Sequence, residues 1–151
     1  MKTYLVTGAA GFIGSNFVKY LLKKYGKDIQ IIIVDALTYA GNLASIKDEI
    51  ELDNVSFVKS DIADYETIKS VFTNNDIDYV VNFAAESHVD RSITNPKLFL
   101  ETNIIGTQNM LQCAREAWYV GKDEMGSPLY KDGVKYLQIS TDEVYGALER
   151  S

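Results

Sequence analysis

The 151 residues include one cysteine, one histidine, one tryptophan and two prolines. A single cysteine, Cys113, excludes an intrachain disulfide and suits a reducing cytoplasm, which is the expected location. With His88 as the only histidine, no Cys/His metal cluster can form, and no metal is expected. Basic runs are missing as well. The net charge is −6, so neither nucleic acid nor an anionic membrane is an expected partner. No apolar run approaches membrane-spanning length. An apolar stretch after Lys2 superficially resembles a signal peptide, but Gly8, Gly11 and Gly14 interrupt it. Neither an internal repeat nor a low-complexity tract is present. What is there is 46% hydrophobic, which suits one compact soluble domain with a real core.

Apolar runs alternate with helical patterns along the chain. Tyr4-Leu5-Val6 reads as a first strand, and Ile13, Phe17, Leu21 and Tyr25 then recur every four residues as one face of a helix. Ile31-Ile32-Ile33-Val34 is the continuous β-branched run of a parallel strand buried on both faces. Val55 to Val58 is a weaker strand. Asp64 caps a helix whose inner face is Tyr65, Ile68 and Phe72. Tyr79-Val80-Val81 begins a strand that ends near Phe83. Asn95-Pro96 reads as the N-cap and first residue of a long helix through Trp118. Gly121 to Gly133 is a polar excursion, and Tyr136 to Ile139 is the last strand. This repetition predicts an α/β fold with a doubly wound, Rossmann-like parallel sheet, its five strands ordered 3-2-1-4-5.

The glycines Gly8, Gly11 and Gly14 fall where the first strand turns into the first helix. That spacing permits a tight turn, close backbone approach to a pyrophosphate and close helix–strand packing, with the helix N-terminus aimed at the phosphates. A merely flexible turn is the alternative, and the strand-turn-helix setting argues against it. Asp35 ends the second strand, 21 residues beyond Gly14, where a carboxylate can accept hydrogen bonds from an adenosine ribose. It would repel a 2′-phosphate, and no lysine or arginine lies between Asp35 and Ile46 to compensate, so NAD is favoured over NADP. Asp61-Ile62 ends the third strand, where a carboxylate could take an adenine amino group while the isoleucine covers the ring. An ordinary strand-end turn explains that pair equally well.

Small residues Ala84 and Ala85 follow the fourth strand and let a cofactor pass close to the backbone. Glu86, Asp90 and Arg91 then serve either a ligand or a structural ion-pair network, and Ser87 is placed to touch substrate. The last strand delivers Ser140-Thr141-Asp142-Glu143, a hydroxyl and two adjacent carboxyls at the same sheet edge. One carboxyl can act as general acid while its neighbour stays ionised as base, which equips the site to eliminate water next to a carbonyl. A solvated acidic turn is the competing reading.

Together these stretches resemble the extended short-chain dehydrogenase/reductase family, and within it the nucleotide-sugar 4,6-dehydratases that act on dTDP-glucose. Thr7 to Gly14, Asp35 to Tyr39, Asp61-Ile62, Ala84 to Ser92, Thr102-Asn103 and Ile139 to Gly146 carry the resemblance. It implies that Phe12, Ile13, Asp35, Ala36, Leu37, Thr38, Asp61, Ile62, Phe83, Ala84, Ala85, Glu86, Ser87 and Thr102 contact NAD. It also implies that Ser87 and Thr141 contact the sugar, Glu143 removes the C5 proton, Asp142 protonates the departing C6 hydroxyl, and a homodimer forms. The family's Tyr-x-x-x-Lys pair is matched only by Tyr20/Lys24 and Tyr65/Lys69, both inside earlier helices and read as coincidence. Residues 1–151 are therefore expected to be the NAD-binding domain of such an enzyme, truncated before the final strands and the substrate lobe. Alone it is expected to bind NAD weakly and turn over nothing. An epimerase or decarboxylase of the same superfamily, or a non-catalytic NAD-binding module, is the alternative.

Overall fold

The computed structural model describes residues 1–146. Five parallel strands form the sheet: β1 (Lys2–Thr7), β2 (Ile29–Asp35), β3 (Val55–Lys59), β4 (Tyr79–Asn82) and an edge strand (Lys135–Gln138). Two further short strands, β5 (Tyr119–Lys122) and β6 (Pro128–Tyr130), precede that edge strand, which is accordingly β7. The sheet order is β3-β2-β1-β4-β7, the expected 3-2-1-4-5 winding with β7 as its fifth member. Leu5 of β1 lies between Ile32 of β2 and Val80 of β4, and Val6 lies between Ile33 and Val81.

Alternation along β2 explains why both faces are covered. Ile31 and Ile33 face α1 (Phe12–Tyr25) and share a core with Val18, Leu21 and Ile46. Ile32 and Val34 face the other way. They join Ile68 and Phe72 of α2 (Tyr65–Asn74) and Met110 and Trp118 of α5 (Thr107–Trp118). A run apolar at every position fits only a strand buried on both sides.

The four-residue spacing in α1 misjudges its inner face. The buried residues are Gly14, Ser15, Val18 and Leu21, whereas Ile13 is 63% exposed and Tyr25 lies at the surface. Gly14 sets the rotation: a Cβ there would stand 2.3 Å from the Gly8 carbonyl oxygen, so the glycine side of the helix is the one pressed against the turn after β1.

The long helix runs from Pro96 to Trp118 as expected, but not with one winding. Its first turn, α4 (Pro96–Phe99), passes into a π-helical stretch Leu100–Gly106 and then α5, and a separate short α3 (Val89–Thr94) precedes it. Pro96 opens α4 as expected, but the Asn95 side chain makes no capping bond. Gly106 ends the π-helical stretch and packs on Ile62, where a Cβ would lie 2.5 Å from Ile62 Cγ1.

The polar excursion folds as an antiparallel hairpin of β5 and β6, with Gly121 and Gly126 at positive φ. Lys131 fastens it, its ammonium 2.7 Å from Asp76 and 3.4 Å from Asp78, which also accepts the Lys2 ammonium at 2.8 Å. That anchor is at the amino-terminal edge of the sheet. Among the described residues no helix is long and apolar enough to cross a membrane.

Candidate functional site

At the opposite, carboxyl-terminal edge, the turn after β1 runs close against the loop after β4. Gly8 adopts φ +65°, and a Cβ there would sit 2.7 Å from the Ala84 nitrogen, so the turn and the loop after β4 pass backbone to backbone. Thr7 reinforces the crossing. Its hydroxyl donates to Asn82 Oδ1 and accepts the Ala84 N–H at 3.3 Å, while Asn82 Nδ2 donates to Gln138 Oε1 at 2.8 Å. A polar chain thereby joins β1, β4 and β7 beneath the site. At its far end burial pushes the Tyr136 phenol up to about 12.

Helix α1 opens on Gly11, which has no side chain to cap it. Its first N–H groups and the positive end of its dipole are therefore free for an anion. Phe12, 85% exposed, and Ile13 border the same space.

Asp35 is buried and uses both carboxylate oxygens to fix backbone. Oδ2 accepts the Ala10 N–H and Oδ1 the Leu37 N–H, each at 2.8 Å. Each oxygen retains a lone pair for a second donor. Asp61 accepts the Ala63 N–H at 2.9 Å in the turn after β3. Ile62 is 2% exposed and belongs mainly to the core under α5, so it presents an edge of that core to the site rather than a free cover.

The loop after β4 is held by Asn103 of the π-turn. Asn103 Oδ1 accepts the Glu86 N–H and Asn103 Nδ2 donates to the Glu86 carbonyl, both at 2.8 Å. The Glu86 side chain is buried, and among the described residues its Oε2 has no partner. Glu86, Asp90 and Arg91 form no ion pair with one another there. Arg91 instead lies over the Tyr39 ring, 3.8 Å from its centroid.

These elements enclose one cleft of about 410 Å³ along the sheet edge. Its wall includes Gly8, Gly11, Phe12, Ile13, Gly14, Asp35, Ala36, Thr38, Asp61 and Ile62 from the β1–β3 side. Phe83, Ala84, Ala85, Glu86, Ser87, Thr102 and Thr141 complete it from the β4–β7 side. Leu37 is the exception among the residues expected there: its side chain packs into the α1 core and does not line the cleft. Asp142 and Glu143 begin a 3₁₀ turn, Asp142–Tyr145, and their side chains lie outside the described residues. Tyr20/Lys24 and Tyr65/Lys69 are not in the wall.

Sequence reasoning missed Gly41, Leu98 and Ser60 in the wall, and Asn103 behind it. Gly41 stands where a Cβ would be 2.8 Å from Asp35 Oδ1, and only its spacing from Asp35 could have hinted at that. A second hollow of about 490 Å³ lies between the carboxyl ends of α2 and α5, bordered by Phe72, Cys113 and Trp118. It contains no residue expected to act, and burial pushes the Cys113 thiol up to about 11, which makes it a poor nucleophile.

The model of the GDP-mannose 4,6 dehydratase family matches residues 5–151. The dTDP-glucose 4,6-dehydratase of Xanthomonas campestris pv. campestris (strain B100) is 45% identical over 149 residues, which is 98% of this chain and 40% of that protein. The dTDP-glucose 4,6-dehydratase of Streptomyces venezuelae, solved with NAD and TYD bound, superposes with a TM-score of 0.80 at 42% identity, covering 99% of this chain and 42% of that one. The Bacillus anthracis dTDP-glucose 4,6-dehydratase in complex with NAD gives 0.78 at 38% identity, covering 100% and 41%. The chain thus spans about two fifths of the length of the relatives it matches.

Proposed function

The chain belongs to the GDP-mannose 4,6 dehydratase family, and from that premise we propose that it is the NAD-binding part of a dTDP-glucose 4,6-dehydratase. One observation carries the reading. A single cleft runs from the glycine turn and Asp35 at one end to Thr141 at the other, long enough in its reach to join a nucleotide grip to a reacting centre.

The residues fit NAD. Gly8 and Gly14 leave no room for a Cβ, so backbone closes around the phosphate position, and the uncapped start of α1 supplies its N–H groups. Asp35, with a lone pair left on each oxygen, takes the adenosine ribose hydroxyls and disfavours a 2′-phosphate. Ala84 to Ser87 and Thr102 border the path towards the nicotinamide end. The chemistry NAD supplies when bound is storage of a hydride taken from sugar C4 and returned to C6.

The chain's own residues do the rest. Thr141 holds the sugar 4-hydroxyl, with Ser87 beside it. Once C4 is a ketone, Glu143 removes the acidified C5 proton and Asp142 protonates the C6 hydroxyl as it leaves. Each proton transfer by a positioned carboxyl is worth on the order of 10² to 10⁴ in rate. As C6 takes the hydride back, Glu143 returns its proton to C5. The 4-hydroxyl proton released in the first step makes good the one Asp142 gave up, so the balance is loss of one water from the sugar.

Neither Tyr-x-x-x-Lys match borders the cleft, and residues 1–151 span about two fifths of their relatives' length, which supports NAD binding without turnover by these residues alone. Exposed Ile93, Leu100, Ile104 and Ile105 along α3 and the π-turn support a homodimer. The lone cysteine, and the lack of a membrane-crossing helix among the described residues, accord with a cytoplasmic enzyme.

Two measurements test the reading. Calorimetric titration with NAD and NADP should show binding of NAD only. Reading the gene beyond codon 151 should reveal Tyr-x-x-x-Lys on the next helix, and the protein it encodes should convert dTDP-glucose to the 4-keto-6-deoxy sugar. A stop codon there, with NAD binding retained, would favour a non-catalytic NAD module. Conversion by residues 1–151 alone would refute the division of labour.

A further inference from the structure

Two loops flank the cleft, and a stack of side chains joins them. The first loop, residues 36–42, leaves β2. Tyr39 sits in a turn closed by the Gly41 N–H on the Thr38 carbonyl at 3.1 Å, and its neighbours Thr38 and Ala40 both line the cleft. The second loop leaves β4 through Ala84 to Ser87, also cleft residues, and leads into α3. Arg91 stands in the first turn of α3, its N–H bonded to the His88 carbonyl at 3.0 Å. The Arg91 guanidinium lies 3.8 Å from the Tyr39 ring centroid, and His88 meets the same ring edge-on at 6.5 Å.

The bases of both loops are fixed. Asn42 donates its N–H to the Ala10 carbonyl at 3.0 Å, Asp35 accepts the Leu37 N–H, and Asn103 holds the Glu86 peptide on both sides. With the backbone pinned, separating the loops needs only rotation of the Tyr39 and Arg91 side chains, a fast motion. The charge suits the place. Among the described residues the wall of the cleft carries Asp35, Asp61 and Glu86 but no lysine or arginine, so the Arg91 guanidinium on the adjoining α3 adds a positive charge that suits an anionic ligand.

We propose that Tyr39 and Arg91 form a strap across the cofactor cleft that slows the escape of the bound dinucleotide. This rests on the NAD reading above and adds to it a reason for the stack. A reaction that stores a hydride and returns it needs the same cofactor molecule to stay for both transfers. A guanidinium over an aromatic face is worth roughly two- to thirtyfold in an equilibrium, depending on how far it is desolvated. That range sets the expected change in escape rate.

The test uses the purified 151-residue chain loaded with fluorescent 1,N6-etheno-NAD and displaced by excess NAD in a stopped-flow instrument. Arg91→Gln and Tyr39→Ser should each speed release by roughly two- to thirtyfold with little change in the association rate. Tyr39→Phe keeps the ring and should keep slow release. Arg91→Lys keeps the charge but loses the planar stack, and should release at a rate between those of the starting chain and Arg91→Gln. Because the two residues act as one contact, the double variant Arg91→Gln/Tyr39→Ser should release no faster than either single variant. Unfolding midpoints equal to that of the starting chain will show that the loops, not the fold, were altered. Unchanged release in both single variants, or multiplying effects in the double variant, overturns the strap and leaves NAD binding standing. Failure of the unaltered chain to bind either dinucleotide overturns both.

Discussion

The Asp35 carboxylate accepts the Leu37 backbone N–H at 2.8 Å, and Leu37 is the one non-glycine residue at positive φ, +52°, among those described. The second fact depends on the first. A leucine in the left-handed region costs about 1–2 kcal/mol, and the bond from its N–H to Asp35, together with burial of its side chain beside α1, offsets that cost.

Asp35→Asn is therefore a stability variant as well as a binding variant. The amide keeps one acceptor and turns an NH₂ towards either the Ala10 or the Leu37 N–H, leaving two donors facing each other in a buried place. A buried group unsatisfied in this way costs about 1–3 kcal/mol. Thermal unfolding should fall by roughly 2–4 °C for each kcal/mol in a chain of this size, and NAD affinity should fall with it. An unchanged midpoint would show that the loop is held by something else.

Gly14 and Gly26 separate two reasons for keeping a glycine. At Gly14 an added Cβ would stand 2.3 Å from the Gly8 carbonyl oxygen, a contact of rigid backbone with rigid backbone. Gly14→Ala should cost about 1–3 kcal/mol by overpacking and loosen the turn that receives phosphate. Gly26, at φ +56°, has nothing within 4 Å of such a Cβ. Gly26→Ala should cost the conformational penalty of a backbone region that side chains avoid (φ +56°, ψ −123°), about 1–3 kcal/mol, and leave nucleotide binding intact. Urea midpoints paired with NAD titrations of both variants read the difference. Equal loss of binding in the two would contradict it.

Much of the fold could be read along the chain because each reading needed only neighbours in sequence. Ile31 to Val34 announces a strand covered on both faces, and Gly8 to Gly14 between an apolar run and a helix announces the turn. What could not be read depends on contacts between distant residues. The rotation of α1 is decided by Gly14 meeting Gly8, not by the four-residue rhythm of Ile13 and Tyr25. The π-turn exists where Gly106 fits onto Ile62, a contact 44 positions apart. The hairpin of β5 and β6 is too short to show a period and is fastened by Lys131 reaching back to Asp76 and Asp78. At the site, Leu37 shares the stretch of its cleft-lining neighbours but turns into the core. Arg91 reads equally as a ligand contact or an ion-pair partner until Tyr39 is brought beside it.

Asn103 shows how the π-turn serves the cleft. Its side-chain amide makes the two hydrogen bonds that a strand neighbour would make to the Glu86 peptide, each 2.8 Å. Asn103→Ala removes both and should destabilise the chain by about 1–3 kcal/mol. Asn103→Asp keeps the acceptor for the Glu86 N–H and loses the donor to its carbonyl. Hydrogen exchange resolved to the Glu86 amide distinguishes them. That amide should exchange much faster in Asn103→Ala and stay protected in Asn103→Asp. If it is equally protected in all three chains, Asn103 does not hold the loop.

Asp78 gives the chain a predictable response to acid. Burial pushes its carboxyl up, but the Lys2 ammonium and the Thr3 N–H, at 2.8 and 2.9 Å, together with Lys131, outweigh burial and hold it below the usual carboxylate range. A carboxyl whose pKa is lowered by folding stabilises the fold above its unfolded pKa, about 3.9, and loses that contribution as pH falls through the lower folded value. The lysines add an opposite limb. The Asp78 hydrogen bond raises Lys2 and the Asp76 hydrogen bond raises Lys131. Their contributions are complete below about pH 10.4 and fade above it. Asp78→Asn should therefore flatten stability against pH below about 4, where the unaltered chain weakens, and shrink the alkaline loss due to Lys2. Because Lys131 pairs with Asp76 at 2.7 Å as well, the lysines' share of the alkaline limb should survive in part in Asp78→Asn and be lost in Asp76→Asn/Asp78→Asn. The Cys113 thiol and Tyr136 phenol, both raised by burial, leave a residual limb in every variant. Urea unfolding at intervals from pH 2 to 11 measures both limbs. An acid limb as steep in Asp78→Asn as in the unaltered chain would place the responsible carboxyl elsewhere.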